Sequence, residues 1–179
     1  MKTEHNERFT KAKETALRYL SYRARTRKEM VDRLADFPSE VIDDVLTMLE
    51  RYGYIDDNAF AEDYVQARVR NKKYGKLRLR HELREKGVEM GIIDTVLSEL
   101  DFDEVAAALQ MLKRKVCSTR KKSGGTVSPS VKRGLAIGET TEWILSEKER
   151  KKYSDYLARA GFGYDVINQA FEEYRQSEV

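Results

Sequence analysis

The sequence predicts an all-α protein built of three tandem three-helix repeats that stack into an elongated, curved rod. Two observations lead to this fold class. First, the 179 residues include only two prolines, and Lys, Arg, Glu, Leu and Ala, the residues that favour helix, are abundant. Second, an apolar pattern with helical spacing occurs three times along the chain. Repeats that are too small to bury a core alone must stack on their neighbours.

The repeated pattern is Ile-(Asp/Asn)-x-small-large-x-x-large, and it occupies residues 42–49, 93–100 and 167–174. Its apolar positions recur at i, i+3, i+4 and i+7, which form one face of a helix. Gly87 and Gly161 precede the second and third copies, each followed by a hydrophobic residue. A glycine in this place suits the left-handed position just after a helix, so we predict that both glycines end helices.

These patterns predict the domain organisation. An N-terminal tail at 1–9 is expected to precede helical repeats at 10–53, 56–100 and 102–175. Asp56 or Asp57 is predicted to cap the helix that opens the second repeat. The third repeat is interrupted at 120–146 by a segment rich in Gly, Ser, Thr and Lys, which predicts a loop insert.

Nothing in the sequence supports an enzyme or a membrane protein. One cysteine and two histidines cannot build a metal site without many carboxylates, and no phosphate-binding glycine loop is present. No stretch approaches the length of about 18 apolar residues that spans a membrane, and no signal peptide is recognisable. We therefore expect a cytoplasmic, non-enzymatic protein without cofactor or metal. The acidic cluster at 56–63 is explained by helix capping, and Cys117 is expected to be a buried structural thiol.

The net charge of +3 hides an uneven distribution. Residues 11–35 carry eight basic and three acidic side chains, whereas 36–63 carry one basic and nine acidic. Residues 66–90 carry nine basic and three acidic side chains, and 105–138 carry eight basic and none acidic. This alternation fits solvated helix surfaces as well as a polyanion-binding role.

Three basic clusters supply the candidate binding residues. Arg and Lys neutralise phosphates and release counterions, and a Tyr can stack on an unpaired base. The candidates are Arg23, Arg25 and Arg27; Arg68, Arg70, Lys72, Lys73, Tyr74, Lys76, Arg78 and Arg80; and Lys113, Lys121 and Lys122. No base-reading pattern accompanies them, so binding to single- or double-stranded DNA is expected to be independent of sequence. A structural role for Tyr74, covering a helix end, stays open.

Several segments, in the same order along the chain, resemble the RecX family of regulatory proteins. They are YIDDxxFAxxYVxxR at 54–68, YGxxRLxxELxxKGV at 74–88, ALxYLSxRxRTxxEM at 16–30, and YLARAGF with the following VI at 156–167. The resemblance spans 11–175 apart from the insert at 120–146. It implies three-helix repeats in a curved rod and binding to RecA filaments on single-stranded DNA, with inhibition of ATP hydrolysis, coprotease action and strand exchange. The long third-repeat loop and the shorter first-repeat turn depart from the family pattern.

From the residues and the resemblance together we expect a monomer that regulates RecA by binding its filament. Two rival hypotheses remain. Paired helices with short glycine turns also occur in helix-turn-helix regulators, which would prefer one duplex sequence. A helical adaptor for an unrelated protein would need its cations only for solvation.

Overall fold

The structure is a computed structural model that describes residues 2–70, 74–122 and 145–177. Every regular element in these ranges is an α-helix. The helices are α1 (Lys2–Leu20), α2 (Arg27–Arg33), α3 (Ser39–Arg51), α4 (Asp57–Val69), α5 (Lys76–Glu85), α6 (Met90–Glu99), α7 (Glu104–Lys122), α8 (Glu147–Arg159) and α9 (Tyr164–Ser177). The all-α class and the three-helix repeats are confirmed. Most of the predicted insert at 120–146 lies outside the described residues.

Helix α1 begins at Lys2, within the stretch 1–9 that the sequence predicts as a tail. Phe9 packs against the core that contains Ala12 and Ala16, and these three positions share one helical face. Ahead of Phe9, the His5 ring nitrogen Nε2 lies 3.0 Å from Asp44 Oδ2 on α3. The start of α1 is difficult to predict from the sequence because its residues before Ala12 are mostly polar and only Phe9 indicates a buried face.

Packing divides the chain into two compact units. The first comprises Met1–Ala67 and Arg80–Leu100, and the second comprises Arg68–Leu79 and Asp101–Val179. A core in the first unit forms around wholly buried residues of α2 and α3, such as Met30 and Leu46. The core of the second unit packs α7, α8 and α9 together around residues such as Leu112, Leu157 and Ala170.

Gly87 and Gly161 adopt the left-handed conformation predicted for them, with φ of +81° and +87°. The N–H of Phe162 donates to the carbonyl of Leu157 at 3.3 Å, which closes the end of α8, and the residue after Gly87 makes the equivalent bond. Phe162 is itself buried. Each turn is therefore the helix-ending motif in which a glycine reverses the backbone and the next hydrophobic residue returns to the core.

The turn at Gly87 forms a close contact that we call the first joint, made by Thr26, Lys28 and residues 85–87. Thr26 is fully buried, and its hydroxyl donates to the carbonyl of Lys86 at 2.7 Å. The ammonium of Lys28 donates to the carbonyl of Glu85 at 3.2 Å. A Cβ added to Gly87 would lie 2.4 Å from the Lys28 Cβ. The start of α2 thus packs directly on the turn after α5.

The second joint, made by Gly75, Arg78 and residues 159–161, has the same construction. The N–H of Gly75 donates to the carbonyl of Ala160 at 2.9 Å, and Arg78 NH1 lies 3.5 Å from the carbonyl of Arg159. A Cβ on Gly161 would lie 2.3 Å from the Arg78 Cβ. In both joints a helix start bonds the carbonyl just before a turn glycine, and a cation reaches the carbonyl before that.

We expect Gly161→Ala to lower the free energy of unfolding by roughly 2–5 kcal/mol, because it adds overpacking to a left-handed backbone strain. The added methyl would lie 2.4 Å from the backbone nitrogen of Arg78, an atom that cannot swing away. Urea unfolding followed by far-UV circular dichroism measures the change.

Two further glycines are matched controls. Gly53 has φ of +69° but no atom within 4 Å of an added Cβ, so Gly53→Ala should cost only the left-handed strain, about 1–2 kcal/mol. Gly163 has neither constraint, and Gly163→Ala should change stability by less than about 0.5 kcal/mol. Equal losses for Gly161→Ala and Gly53→Ala would show that the close packing at Gly161 contributes nothing.

Candidate polyanion-binding site

Tyr74, in the segment between α4 and α5, is the centre of one group of predicted binding residues that the structure brings together. The Arg78 guanidinium carbon lies 4.5 Å from the centroid of its ring, and that of Arg68 lies 5.5 Å away. Both distances fall within the range of cation–π attraction. Tyr74 and Arg68 are half-buried and Arg78 is exposed. We call these three residues the Tyr74 cluster.

The second joint positions the Tyr74 cluster. Arg68 lies in the last turn of α4, and Arg78 lies in the first turn of α5. Between them, the Gly75 amide is bonded to Ala160, and the Lys76 amide donates to Glu104 Oε1 at 2.7 Å. These backbone bonds fix the entry into α5 and hold Arg78 against Tyr74.

The cluster changes the role expected of the Tyr74 ring. A base could stack on an uncovered tyrosine, but here two guanidinium groups already lie within cation–π distance of the ring. The geometry favours a ring that holds the two cations in place over a ring that stacks on a base. Two cations are therefore held in place on one ring.

A second group, in the first unit, surrounds Glu29. Arg23 forms a two-point ion pair with the carboxylate at 2.9 and 3.0 Å, and Lys86 Nζ lies 3.3 Å from Oε1. Arg25 NH1 lies 4.0 Å from Oε2. We call these four residues the Glu29 cluster. Three cations share one carboxylate, so positive charge remains in excess.

The cations set the protonation of Glu29. Burial, the largest single influence, raises its pKa, but the hydrogen bonds and charges of Arg23 and Lys86 together outweigh it. The pKa of Glu29 therefore lies below its ordinary value of 4.5, and the bond to Glu29 raises the pKa of Arg23 in return. The carboxylate is ionised at neutral pH and holds the cations around it.

Arg25 is the least available cation of the Glu29 cluster. Its guanidinium carbon lies 3.7 Å from the Tyr19 ring centroid, its side chain is 13% exposed, and its Nε is buried with no hydrogen-bond partner among the described residues. Tyr19 and Arg25 have the same sequence spacing as Arg68 and Tyr74, with the residue types exchanged. A cation–π contact thus joins the first helix of the first repeat, and that of the second repeat, to the segment that follows it.

The other predicted residues are dispersed. Arg27 pairs with Glu50 at 2.9 Å, and Arg80 pairs with Asp94 at 2.8 Å. Arg70 and Lys113 are exposed, and Lys76 is half-buried. Lys72 and Lys73 lie outside the described residues, as do the side chains of Lys121 and Lys122 at the end of α7.

Lys86, a member of the Glu29 cluster, is not among the binding residues predicted from the sequence. Its Nζ also lies 5.4 Å from the Tyr64 ring and 5.7 Å from the Phe60 ring. Its position immediately before Gly87 is the signal that could have found it. Cations favour the end of a helix, where the backbone carbonyls carry partial negative charge.

Cys117, predicted to be a buried thiol, is exposed. Leu112 and Val116, one turn apart on α7, take the inward face of that helix and are buried. Cys117 follows Val116 and falls outside that face.

The acidic cluster at 56–63 contains the predicted helix cap. Asp56 Oδ1 accepts the N–H groups of Asn58 at 2.9 Å and Ala59 at 3.1 Å, at the start of α4. Across 2–70, 74–122 and 145–177, no three His, Cys, Asp or Glu residues are grouped so as to hold a metal ion. In the same ranges no helix has the length and apolar character needed to cross a membrane.

Comparison with known proteins points to one family. The first three-helix domain of RecX matches residues 12–49, and the second matches 56–97. Regulatory protein RecX of Streptomyces lividans is 32% identical over 165 residues, covering 90% of this chain and 78% of the relative. That of Mycolicibacterium smegmatis is 34% identical over 172 residues, covering 94% and 84%. The chain belongs to the RecX family of regulatory proteins.

Solved RecX structures show the same fold. The crystal structure of RecX from Lactobacillus salivarius has a TM-score of 0.73 at 23% identity and covers 94% of this chain and 97% of that one. A crystal structure of another regulatory protein RecX has a TM-score of 0.72 at 24% identity. Within the matched RecX domains, Arg68, Tyr74 and Arg78 all belong to the second, whereas the Glu29 cluster draws residues from both.

Glu29→Gln should reduce stability at neutral pH by roughly 1–3 kcal/mol, because the Glu29 side chain is only 18% exposed and three cations would lose the carboxylate that they share. Because the folded pKa of Glu29 lies below its unfolded value, its ionised form stabilises the fold above the unfolded pKa. This contribution is lost as the pH falls through the folded pKa. The loss of this stabilisation is measured by urea unfolding at a series of pH values from 7 down to below 4.5, the ordinary pKa of a Glu.

The difference between wild type and Glu29→Gln should therefore shrink in the acid range below 4.5. Glu40→Gln removes one exposed carboxyl of the same repeat and controls for the loss of a charge. A difference between wild type and Glu29→Gln that stays constant down to the lowest pH would contradict the assignment.

Proposed function

We propose that this RecX-family protein binds the RecA–single-stranded DNA filament as a monomer and inhibits its ATPase, coprotease and strand-exchange activities. In this proposal it performs no bond-making chemistry of its own. It acts by occupying the filament, and its cations bind the phosphates or acidic side chains that the filament exposes.

The Tyr74 cluster is the observation that carries the proposal. Two guanidinium groups are held on one ring, in a stretch where 66–90 contains nine basic and three acidic residues. A guanidinium offers a planar set of donors that matches phosphate and carboxylate oxygens. Arg70, exposed, and Lys76, half-buried, lie on either side of Tyr74 along the chain.

The Glu29 cluster supports binding at a second place. Arg23 is 46% exposed and lies beside Lys86, and together with Arg25 they exceed the one carboxylate between them. Most hydrogen bonds between proteins and DNA go to phosphate and sugar oxygens, and the arginines of both clusters are already held by a tyrosine ring or by Glu29. We therefore infer that they contact the sugar–phosphate backbone of the nucleic acid and that binding is independent of sequence.

The triple variant Arg68→Gln, Arg70→Gln and Lys76→Gln should weaken inhibition of the RecA ATPase on single-stranded DNA by roughly tenfold or more, as expected when several charge-assisted hydrogen bonds are removed. Arg78 is spared because it also belongs to the second joint. The measurement is the ATP hydrolysis rate of RecA filaments as a function of the concentration of this protein.

The matched control replaces three exposed cations elsewhere, in the variant Lys11→Gln, Lys148→Gln and Lys151→Gln. It has the same net charge as the first variant and should inhibit like wild type. Equal inhibition by all three proteins would overturn the site, and no inhibition by wild type would overturn the function.

Binding to single-stranded DNA alone should be salt-dependent and indifferent to sequence. In the Arg68, Arg70 and Lys76 variant the slope of log K against log salt should become shallower by about one for each phosphate that is no longer neutralised. Fluorescence anisotropy with random and repetitive oligonucleotides measures both properties. A strong preference for one duplex would favour a helix-turn-helix regulator, and the absence of any salt-dependent binding would favour an adaptor.

A further inference from the structure

A cleft of about 560 Å³ lies in the first unit, on the side of the first joint where α2 meets the turn before α4 and the start of α6. Its apolar lining consists of Val31, Ile55 and Ile92, and three carboxylates of Glu50, Asp57 and Glu89 share it. We call it the Ile55 cleft. An apolar lining with carboxylates beside it can receive a group that is aliphatic at its base and charged at its tip.

The two cations that also line the cleft are already engaged. Arg27 Nε bonds Glu50 at 2.9 Å, and the ammonium of Lys28 bonds the carbonyl of Glu85 at 3.2 Å. The Arg27 amide donates to Asp57 Oδ1 at 2.9 Å. In the described part of the chain, neither Asp57 nor Glu89 forms an ion pair. These two carboxylates are therefore the groups of the cleft that an incoming cation would neutralise.

The environment of Asp57 favours such a cation. Burial is the main reason that its pKa is raised, and the charges of Glu50 and Asp56 add to the effect, against the bond and charge of Arg27. A carboxylate that is partly removed from water and flanked by other carboxylates gains stability when a positive group approaches.

Two exposed tyrosines lie along the chain between two residues that line the cleft, Glu50 and Ile55. Tyr52 and Tyr54, in the turn that joins Glu50 to Ile55, are 68% and 57% exposed, with ring centroids 6.4 Å apart. Tyrosine is enriched at protein interfaces, so these two rings favour a protein as the partner that binds here. Three lining residues, Glu50, Ile55 and Asp57, come from the stretch 36–63, which has nine acidic residues and one basic, so the cleft favours a basic group over the phosphates of a nucleic acid.

We propose that the Ile55 cleft is a docking site for a basic segment of a protein partner, with one arginine or lysine side chain inserted. The aliphatic part of that side chain would pack on Val31, Ile55 and Ile92, and its charged end would reach Asp57 and Glu89. The cleft shares no residue with the Tyr74 cluster or the Glu29 cluster, and it would bind a positive group where they would bind a negative one. The proposed docking does not require the partner to be the RecA filament.

The experiment uses the full chain with ¹³C-labelled isoleucine methyl groups. The probe is the peptide acetyl-Leu-Arg-Leu-Arg-Leu-amide, and its comparison is the same peptide with the uncharged isostere citrulline in place of arginine. The methyl signals of Ile55 and Ile92 should shift in a saturable way at arginine-peptide concentrations up to roughly 1 mM, an affinity range suited to one inserted side chain. The Ile167 methyl, in the core of the second unit, should not move.

The variants Glu89→Gln and Asp57→Asn, made singly and together, test the carboxylates. Glu89 is exposed, and the amide introduced by Asp57→Asn would keep an oxygen that can accept the Arg27 N–H, so the fold should be retained. The double variant should bind the arginine peptide roughly tenfold more weakly, as for the removal of two charge-assisted hydrogen bonds. Glu40→Gln with Asp43→Asn, two exposed carboxyls on α3, has the same net charge and should bind like wild type.

Two results would overturn the docking site: no shift of the Ile55 and Ile92 methyls, or equal shifts with the arginine and citrulline peptides. Neither result involves RecA, so the docking site and the proposed inhibition of the filament can fail independently. If both stand, loss of filament binding in the double variant with unchanged binding to bare DNA would identify the filament protein as the partner that presents the basic segment.

Discussion

The two joints are the constraint on which the rest of the molecule depends. In each, a donor at the start of one helix bonds the carbonyl that precedes a turn glycine: Thr26 to Lys86 in the first unit and Gly75 to Ala160 in the second. The distances of 2.7 and 2.9 Å leave no room for a side chain at the glycine. A helix end that would otherwise expose unpaired carbonyls is satisfied by the neighbouring helix, which supplies both hydrogen bonds and a cation.

The joints also decide where the charges are placed. Lys28 and Arg78 occupy equivalent places, each lying across a turn glycine and reaching the carbonyl two residues before it. Arg78 at the same time lies over Tyr74. The candidate binding surface is therefore coupled to the packing of the helices, and a change in a joint would move the cations without touching them. Because of this coupling, Arg78 stabilises the fold in addition to being a candidate for ligand binding.

The repeated apolar pattern predicted the helices and the turn glycines because both depend on residues close in sequence. The same local reasoning missed the start of α1, where Phe9 alone marks the buried face. It could not predict which cations would be paired, since Lys86 with Glu29 and Arg80 with Asp94 are contacts between residues distant in sequence. Tyr74 shows the limit most clearly. Its position in a basic stretch suggested base stacking, but the guanidinium groups near its ring come from two helices.

Basic and acidic side chains lie in separate stretches of this chain, and this separation favours a partner that presents both negative and positive groups. At physiological salt the screening length is about 8 Å, so a cluster acts on what lies directly against it and the net charge of +3 has little influence. Bare DNA offers nothing that the acidic stretch 36–63 or the Ile55 cleft could bind, and repulsion there would lower its affinity. A nucleoprotein presents phosphates together with basic and apolar protein segments. Basic clusters and an acidic cleft on one small chain are better matched to that kind of surface than to either component alone.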